Sequence, residues 1–113
     1  MLSNSLIPTA FAESIIIQEE IRAGKQVIFK AEIVLVDGSY LLIKEYIDSK
    51  YRIEKISYAY QYQDRDGKLI FRYDNAAHKP KLEGSEHRHS PDGIEIASSP
   101  DMAELVDEVI RFL

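Results

Sequence analysis

The fold is decided by residues 26–48, which read QVIFKAEIVLVDGSYLLIKEYID. Both halves are rich in β-branched and large apolar residues, and the dipeptide Asp37-Gly38 between them is typical of a two-residue type I′ turn. If these two residues form the whole loop, Lys30 lies opposite Glu45, and the two side chains make a favourable cross-strand charge pair. The stretch therefore predicts an antiparallel β-hairpin.

A second hairpin is predicted directly after the first. Residues 51–63 read as a strand, residues 64–67 (Asp-Arg-Asp-Gly) as a turn, and residues 68–74 as the returning strand. With Asp66-Gly67 as the loop, the aromatic side chains of both strands share one face of the sheet. These side chains are Tyr58, Tyr60, Tyr62, Phe71 and Tyr73.

The two ends of the chain complete the predicted architecture. Residues 14–22 favour a further strand, and residues 1–12 form either a loose arm or a short helix with Thr9 as its N-cap. Near the C-terminus, Ser99 is the predicted N-cap of a helix whose first residue is Pro100. An apolar stripe with helical spacing follows, formed by Met102, Leu105, Val106, Val109 and Phe112.

Together these elements predict an α+β fold, in which about five antiparallel strands form a meander and the C-terminal amphipathic helix packs on one face. Residues 1–113 are expected to form a single domain. One helix can cover only one face of a sheet. We therefore expect the N-terminal arm, a second copy of the chain or another partner to cover the other face.

The composition limits the classes of function. The chain has 14 basic and 19 acidic residues and a net charge of −5, so binding to nucleic acid requires a local basic patch. The absence of cysteine excludes a disulfide scaffold and a cysteine-ligated metal. The apolar stretches are too short to span a bilayer and no secretory signal is recognisable, so we expect a soluble, cytoplasmic protein without a membrane partner.

All three histidines lie between residues 78 and 89, and two of them form the triplet His87-Arg88-His89. In an extended strand, residues two apart share a face, so both imidazoles can converge on one metal ion or one phosphate. For RNA cleavage without a cofactor, one histidine would take a proton from a 2′-hydroxyl and another would protonate the leaving oxygen. The phosphate would be held by Arg72, Arg88 or Lys79.

Two other interpretations of the histidines stay open. A metal site needs neutral imidazoles and a third ligand, which would be supplied by His78, Asp74, Asp92 or Glu86. Alternatively, the histidines are solvated side chains of a polar loop that spans residues 75–92.

Residues near the predicted strand ends provide further candidates. Arg72 and Asp74 share a face, so Asp74 can orient a histidine through its ring N–H, although Asp-Asn is also a common opening of a turn. Tyr60, Tyr62 and Tyr73 would stack unpaired bases if they were exposed, whereas a packed sheet face is the alternative.

A family resemblance emerges from the ordered combination of these features. The run YAYQYQDRDGKLIFRYDNAAHKP at residues 58–80, followed by His87-Arg88-His89, resembles the TumE family of small toxins. The resemblance extends from about Gln26 to the C-terminus. The chain departs from the family pattern where Lys79 replaces an additional histidine, and where residues 81–86 lack the proline and aromatic residues that are common there.

The resemblance implies a toxin of a type II toxin–antitoxin system, whose partner is a small antitoxin with a DNA-binding helix-turn-helix. We consider three functions for such a chain. It is a ribonuclease that uses histidine acid–base chemistry, a non-catalytic module that binds a helix-turn-helix regulator, or a metal-dependent hydrolase. A homo- or hetero-oligomer is expected in each case.

Overall fold

The computed structural model describes residues 7–8, 10–75 and 86–113. These residues form one antiparallel sheet, whose seven strands lie side by side in the order of the sequence, and one helix. The strands are β1 (Ala12–Arg22), β2 (Gln26–Leu35), β3 (Tyr40–Asp48), β4 (Glu54–Gln63), β5 (Leu69–Asp74), β6 (His87–Ser90) and β7 (Gly93–Ile96), and the helix is α1 (Met102–Ile110). The predicted α+β class is confirmed, whereas the prediction of about five strands is wrong.

The two additional strands form a short hairpin, β6–β7, in which Pro91 and Asp92 make the turn. The hairpin adds to the sheet through β6, which pairs with β5. Each of the two strands has only four residues, and β6 is polar throughout. Neither strand therefore shows the longer alternation of apolar and polar residues from which strands are predicted.

The first hairpin has a longer turn than predicted, and its register differs accordingly. The N–H of Gly38 donates to the carbonyl of Leu35, and the N–H of Leu35 donates to the carbonyl of Ser39, both at 2.9 Å. With Gly38 at φ 85°, this is a three-residue turn that ends in a left-handed residue. Lys30 consequently pairs with Lys44, so the predicted pairing of Lys30 with Glu45 is wrong.

The second hairpin brings the aromatic residues together as predicted. Tyr62 pairs with Phe71, and Tyr60 pairs with Tyr73. The turn is again one residue longer than a two-residue loop, with Gly67 at φ 86°, but a register shift after Tyr62 compensates for the extra residue. The prediction that these aromatic side chains share one face is therefore confirmed, although the predicted loop is too short.

The hydrophobic core lies between α1 and one face of the sheet. Alternate residues of β2 and β3 point into it, together with the tyrosines of β4 and three residues of α1. Ile7 belongs to the same buried cluster, so the described part of the N-terminal arm packs on the helix side. Residues 1–6 and Thr9, on which the choice between an arm and a short helix depends, lie outside the described residues.

Helix α1 begins two residues later than predicted. Its N-cap is Asp101, whose carboxylate accepts a hydrogen bond from the N–H of Glu104, while the Glu104 side chain accepts one from the N–H of Asp101. This reciprocal pair is a capping box, which satisfies two backbone donors that the helix leaves free. The prediction of Ser99 as the N-cap is therefore wrong, and Pro100 precedes the helix. Of the predicted apolar stripe, Leu105, Val106 and Val109 are buried and Met102 is partly buried, whereas Phe112 lies beyond the helix and is 50% exposed.

The other face of the sheet, called the open face below, is partly exposed. Along β2 the core-facing residues are buried from Phe29 onward, whereas Ile28, Lys30, Glu32 and Val34 on the open face are all intermediate in exposure. Unlike an apolar sandwich interior, this face carries many charged and amide side chains. The open face is therefore partly accessible to another molecule.

Candidate functional site

The pairing of β5 with β6 builds the candidate site. Asp74 pairs with His87, and Arg72 pairs with His89. Because side chains alternate along a strand and paired residues share a face, all four side chains lie on the open face. The structure thus brings together the His-x-His pair and the Arg-x-Asp pair, which are separated in the sequence by the polar segment between β5 and β6.

Asp74 is the centre of this group. Its Oδ2 accepts a hydrogen bond from Nε of Arg72 at 2.8 Å and lies 3.3 Å from Nε2 of His89. The Asp74 side chain is only 4% exposed, whereas 18% of the His89 side chain and 33% of the Arg72 side chain remain accessible. A buried carboxylate next to an imidazole can fix the orientation of the ring. The predicted orienting role of Asp74 is thus compatible with its position.

Arg72 extends the network along the sheet. Its Nη1 donates to the side-chain oxygen of Gln61 on β4 at 2.7 Å, while Nε is held by Asp74. Two of its donors are therefore used within the protein, and the partly exposed remainder of the guanidinium can meet an incoming anion. Arg72 can in this way both hold Asp74 in place and contact a phosphate.

His87 lies deeper in the site than His89. The residue is 2% exposed, and it sits in the sheet between its cross-strand neighbours Asp74 and Ile96. His89 pairs on the same side with Ile94, and both isoleucines are more than half exposed. The two imidazoles therefore share the open face, with an apolar rim formed by β7.

Arg88 lies on the opposite face of the sheet. Its Nη2 is 2.7 Å from Oε2 of Glu108 on α1, and its Nε donates to the hydroxyl of Tyr73 at 3.2 Å. The guanidinium also lies over the rings of Phe71 and Tyr73. Despite partial burial, the hydrogen bonds with Glu108 and Tyr73 raise the pKa of Arg88. This geometry ties β6 to the helix and does not place Arg88 with the two histidines.

The aromatic candidates also lie on the helix side. Tyr60 and Tyr62 are 1% and 0% exposed, and Tyr62 packs against the rings of Phe71 and Phe112. Burial, together with a hydrogen bond to Glu45, raises the pKa of Tyr60, and burial with a hydrogen bond to Glu108 raises the pKa of Tyr73. These side chains form the packed sheet face that was the alternative to base stacking.

The other predicted candidates divide into two groups. His78 and Lys79 lie outside the described residues. Of the further metal-ligand candidates, Glu86 accepts a hydrogen bond from the Tyr58 hydroxyl at 3.1 Å, and Asp92 is exposed in the β6–β7 turn. Within residues 7–8, 10–75 and 86–113, no group of three or more histidine, aspartate or glutamate side chains is arranged to hold a metal ion.

Sequence reasoning missed a groove that lies beside this site. The groove has a volume of about 410 Å³ and lies between two cross-strand rows on the open face, Ile28–Tyr46–Ser57 and Lys30–Lys44–Ala59. Ala59 is also the cross-strand neighbour of Asp74, so the groove adjoins the histidine site. The pairing of Lys30 with Lys44 would have revealed it, but the predicted register placed Glu45 at that position.

The fold and the site define a small α+β protein with a buried aspartate, an arginine and two histidines on one open sheet face. The family model described as Toxin TumE matches residues 5–113, which is nearly the whole chain, and the chain therefore belongs to the TumE toxin family. The resemblance seen in the sequence is thus confirmed. No curated protein and no solved structure matches the chain.

Membership of a toxin family implies an antitoxin as the partner of this chain. In the part of the chain that the structure describes, no helix has the length and apolar character needed to cross a membrane.

Proposed function

We propose that this chain is the toxin of a type II toxin–antitoxin system and that it cleaves RNA by metal-independent acid–base catalysis at His87 and His89. The observation that carries the proposal is the position of Asp74, whose Oδ2 lies 3.3 Å from Nε2 of His89 while Arg72 holds the same oxygen. Solvated loop histidines need no such buried carboxylate.

The proposed reaction uses the 2′-hydroxyl of the substrate as its nucleophile. One imidazole accepts the hydroxyl proton while the 2′-oxygen forms a bond to phosphorus, and the other imidazole protonates the departing 5′-oxygen as its bond to phosphorus breaks. The exposed part of Arg72 stabilises the charge on the phosphate oxygens. His78 and Lys79 remain proposed contributors from the segment between β5 and β6.

The proposal is tested by inducing the chain in a bacterial host and by assaying the purified protein on RNA. We expect the wild type to arrest growth and to cleave RNA in the presence of a chelator, and the double variant His87→Ala/His89→Ala to do neither. Ser90→Ala is the matched control, because it alters the same strand without removing an imidazole. Circular dichroism must show that all three proteins are folded.

Three results would contradict the proposal. Loss of cleavage on chelation would point to a metal-dependent hydrolase, and full activity of the double histidine variant would move the catalytic site elsewhere. A folded wild type that neither cleaves RNA nor arrests growth would remove the support for a ribonuclease toxin.

A second function is favoured by the apolar rim of the site. Ile94 and Ile96 are 52% and 60% exposed on β7, which is an edge strand of the sheet that the described residues form, and an edge strand with apolar side chains suits a protein partner. In this alternative the chain is a non-catalytic module that binds a helix-turn-helix antitoxin. Co-purification with such a protein, without RNA cleavage by the free chain, would favour it.

A further inference from the structure

The groove beside the histidine site has two chemically different walls. One wall carries Lys30 and Lys44, which are direct cross-strand neighbours on β2 and β3. The other wall carries Tyr46, whose ring is partly exposed and whose hydroxyl donates to the side-chain oxygen of Gln26 at 2.6 Å. Ala59 continues the lysine wall onto β4, where its cross-strand neighbour on β5 is Asp74.

The two lysines lie close together beside Glu32, whose single negative charge offsets part of their combined positive charge. Lys30 has one carboxylate partner, Glu32, at 3.4 Å, and both side chains of that pair are about one third exposed. Lys44 is exposed and forms no ion pair with the rest of the described chain. Two like charges on adjacent strands repel each other, so their side-by-side placement on an acidic protein favours an anionic ligand.

The lysine wall of the groove and the histidine site lie on one cross-strand row of the open face. Lys44, Ala59, Asp74 and His87 are successive cross-strand neighbours on β3, β4, β5 and β6. With strands about 4.8 Å apart, Lys44 lies about 14 Å from His87 along this row. A short extended run of nucleotides spans that distance, so a strand bound at the histidines can continue into the groove.

We propose that this groove binds the single-stranded RNA segment that flanks the cleaved bond, with Lys30 and Lys44 on its phosphates and Tyr46 stacked on a base. Proteins that hold single strands combine a positive groove with an aromatic platform, and this groove provides both. The assignment rests on the proposed ribonuclease function for its substrate class, but its test is a binding measurement that does not require cleavage.

The probe is a short 2′-O-methyl RNA oligonucleotide, which lacks the nucleophilic hydroxyl and cannot be cleaved by the proposed reaction. Lys44→Gln and Tyr46→Leu are each expected to weaken its binding on the order of tenfold at low salt. Lys44→Gln should also reduce the slope of log affinity against log salt by about 0.7. Lys68→Gln, in the exposed β4–β5 turn, removes the same charge outside the groove and should bind like the wild type.

The outcomes separate the groove from the catalytic proposal. Binding that depends on Lys44 and Tyr46, without cleavage of unmodified RNA, would support the groove as an RNA-binding site and contradict the proposed ribonuclease function. Cleavage with unchanged affinity and salt slope in both groove variants would overturn the groove and leave the ribonuclease intact. Absence of any binding by the folded wild type, or equal weakening by Lys68→Gln, would also overturn the groove assignment.

Discussion

Oδ2 of Asp74 lies 3.3 Å from Nε2 of His89 and accepts a hydrogen bond from Nε of Arg72 at 2.8 Å. One nearly buried carboxylate oxygen therefore couples the strand end of β5 to the histidine strand β6. The antiparallel pairing of these two strands, which places Arg72 opposite His89, creates the contact. The register of the sheet thus determines which side chains meet at the site.

The first prediction concerns Asp74 as a positioning residue. Asp74→Asn keeps the size of the side chain but removes the charge beside His89, and we expect RNA cleavage to fall about 10- to 100-fold. Ring-nitrogen NMR of His89 should change as well, because its partner is altered. Asp92→Asn, in an exposed turn of the β6–β7 hairpin, is the matched control. Unchanged NMR signals and cleavage in a folded Asp74→Asn protein would refute this role.

The second prediction concerns Arg88, which was a candidate phosphate ligand in the sequence. Its ion pair with Glu108 is about four-fifths buried, so Arg88→Gln should lower the free energy of unfolding by about 1–3 kcal/mol. Cleavage per folded molecule should change little, because Arg88 faces the helix. Denaturant titration measures the stability.

Arg52→Gln provides the comparison for Arg88. Arg52 lies 3.9 Å from Glu54 and its side chain is 80% exposed, so its loss should change stability by less than about 0.5 kcal/mol. Equal stability of both variants would contradict the structural role of Arg88. A selective loss of RNA binding in Arg88→Gln would instead show that Arg88 contacts the substrate.

The candidate site was predicted in part because short-range spacing is visible in a sequence. The i, i+2 rule placed His87 with His89 and Arg72 with Asp74, and both pairs do share a face. The same rule also places Arg88 on the other face, once β6 is known to be a sheet strand. No local pattern predicts the pairing of β5 with β6, because a segment of polar residues separates the two strands in the sequence.

The register of the first hairpin shows a different limit. Asp37-Gly38 signals a turn, but both two-residue and three-residue turns use glycine at a left-handed position. The choice between them shifts every cross-strand pair by one residue. In the observed register Lys44, and not Glu45, lies opposite Lys30. The groove that the two lysines line was therefore not predicted.

The third prediction tests that turn. Gly38 has φ 85°, and an added Cβ would lie 3.2 Å from Cβ of Arg65 in the neighbouring hairpin. Gly38→Ala should therefore destabilise the fold by more than about 1 kcal/mol. Gly24 has nearly the same φ, 80°, but its added Cβ meets nothing within 4 Å, so Gly24→Ala isolates the cost of the backbone conformation. Equal losses of stability in thermal unfolding would show that the contact with Arg65 is unimportant.

The fourth prediction concerns alkaline pH. Burial is the main cause that raises the pKa of Tyr58, Tyr60, Tyr62 and Tyr73 above the usual tyrosine value of about 10. The folded state therefore keeps protons that the unfolded state loses as the pH rises above about 10. The stability that these tyrosines contribute is fully present below that pH and is lost as the pH rises toward their values in the folded protein.

Denaturant titrations at increasing pH, combined with an absorbance titration of tyrosinate, measure this effect. We expect the free energy of unfolding to decrease above pH about 10, and the buried tyrosines to ionise only as the chain unfolds. Tyr60→Phe removes the phenol that donates to Glu45. The decrease should then be less steep, because one fewer buried phenol ionises on unfolding. A stability that stays constant while all seven tyrosines ionise in the folded protein would contradict the burial of Tyr58, Tyr60 and Tyr62 on the helix side of the sheet.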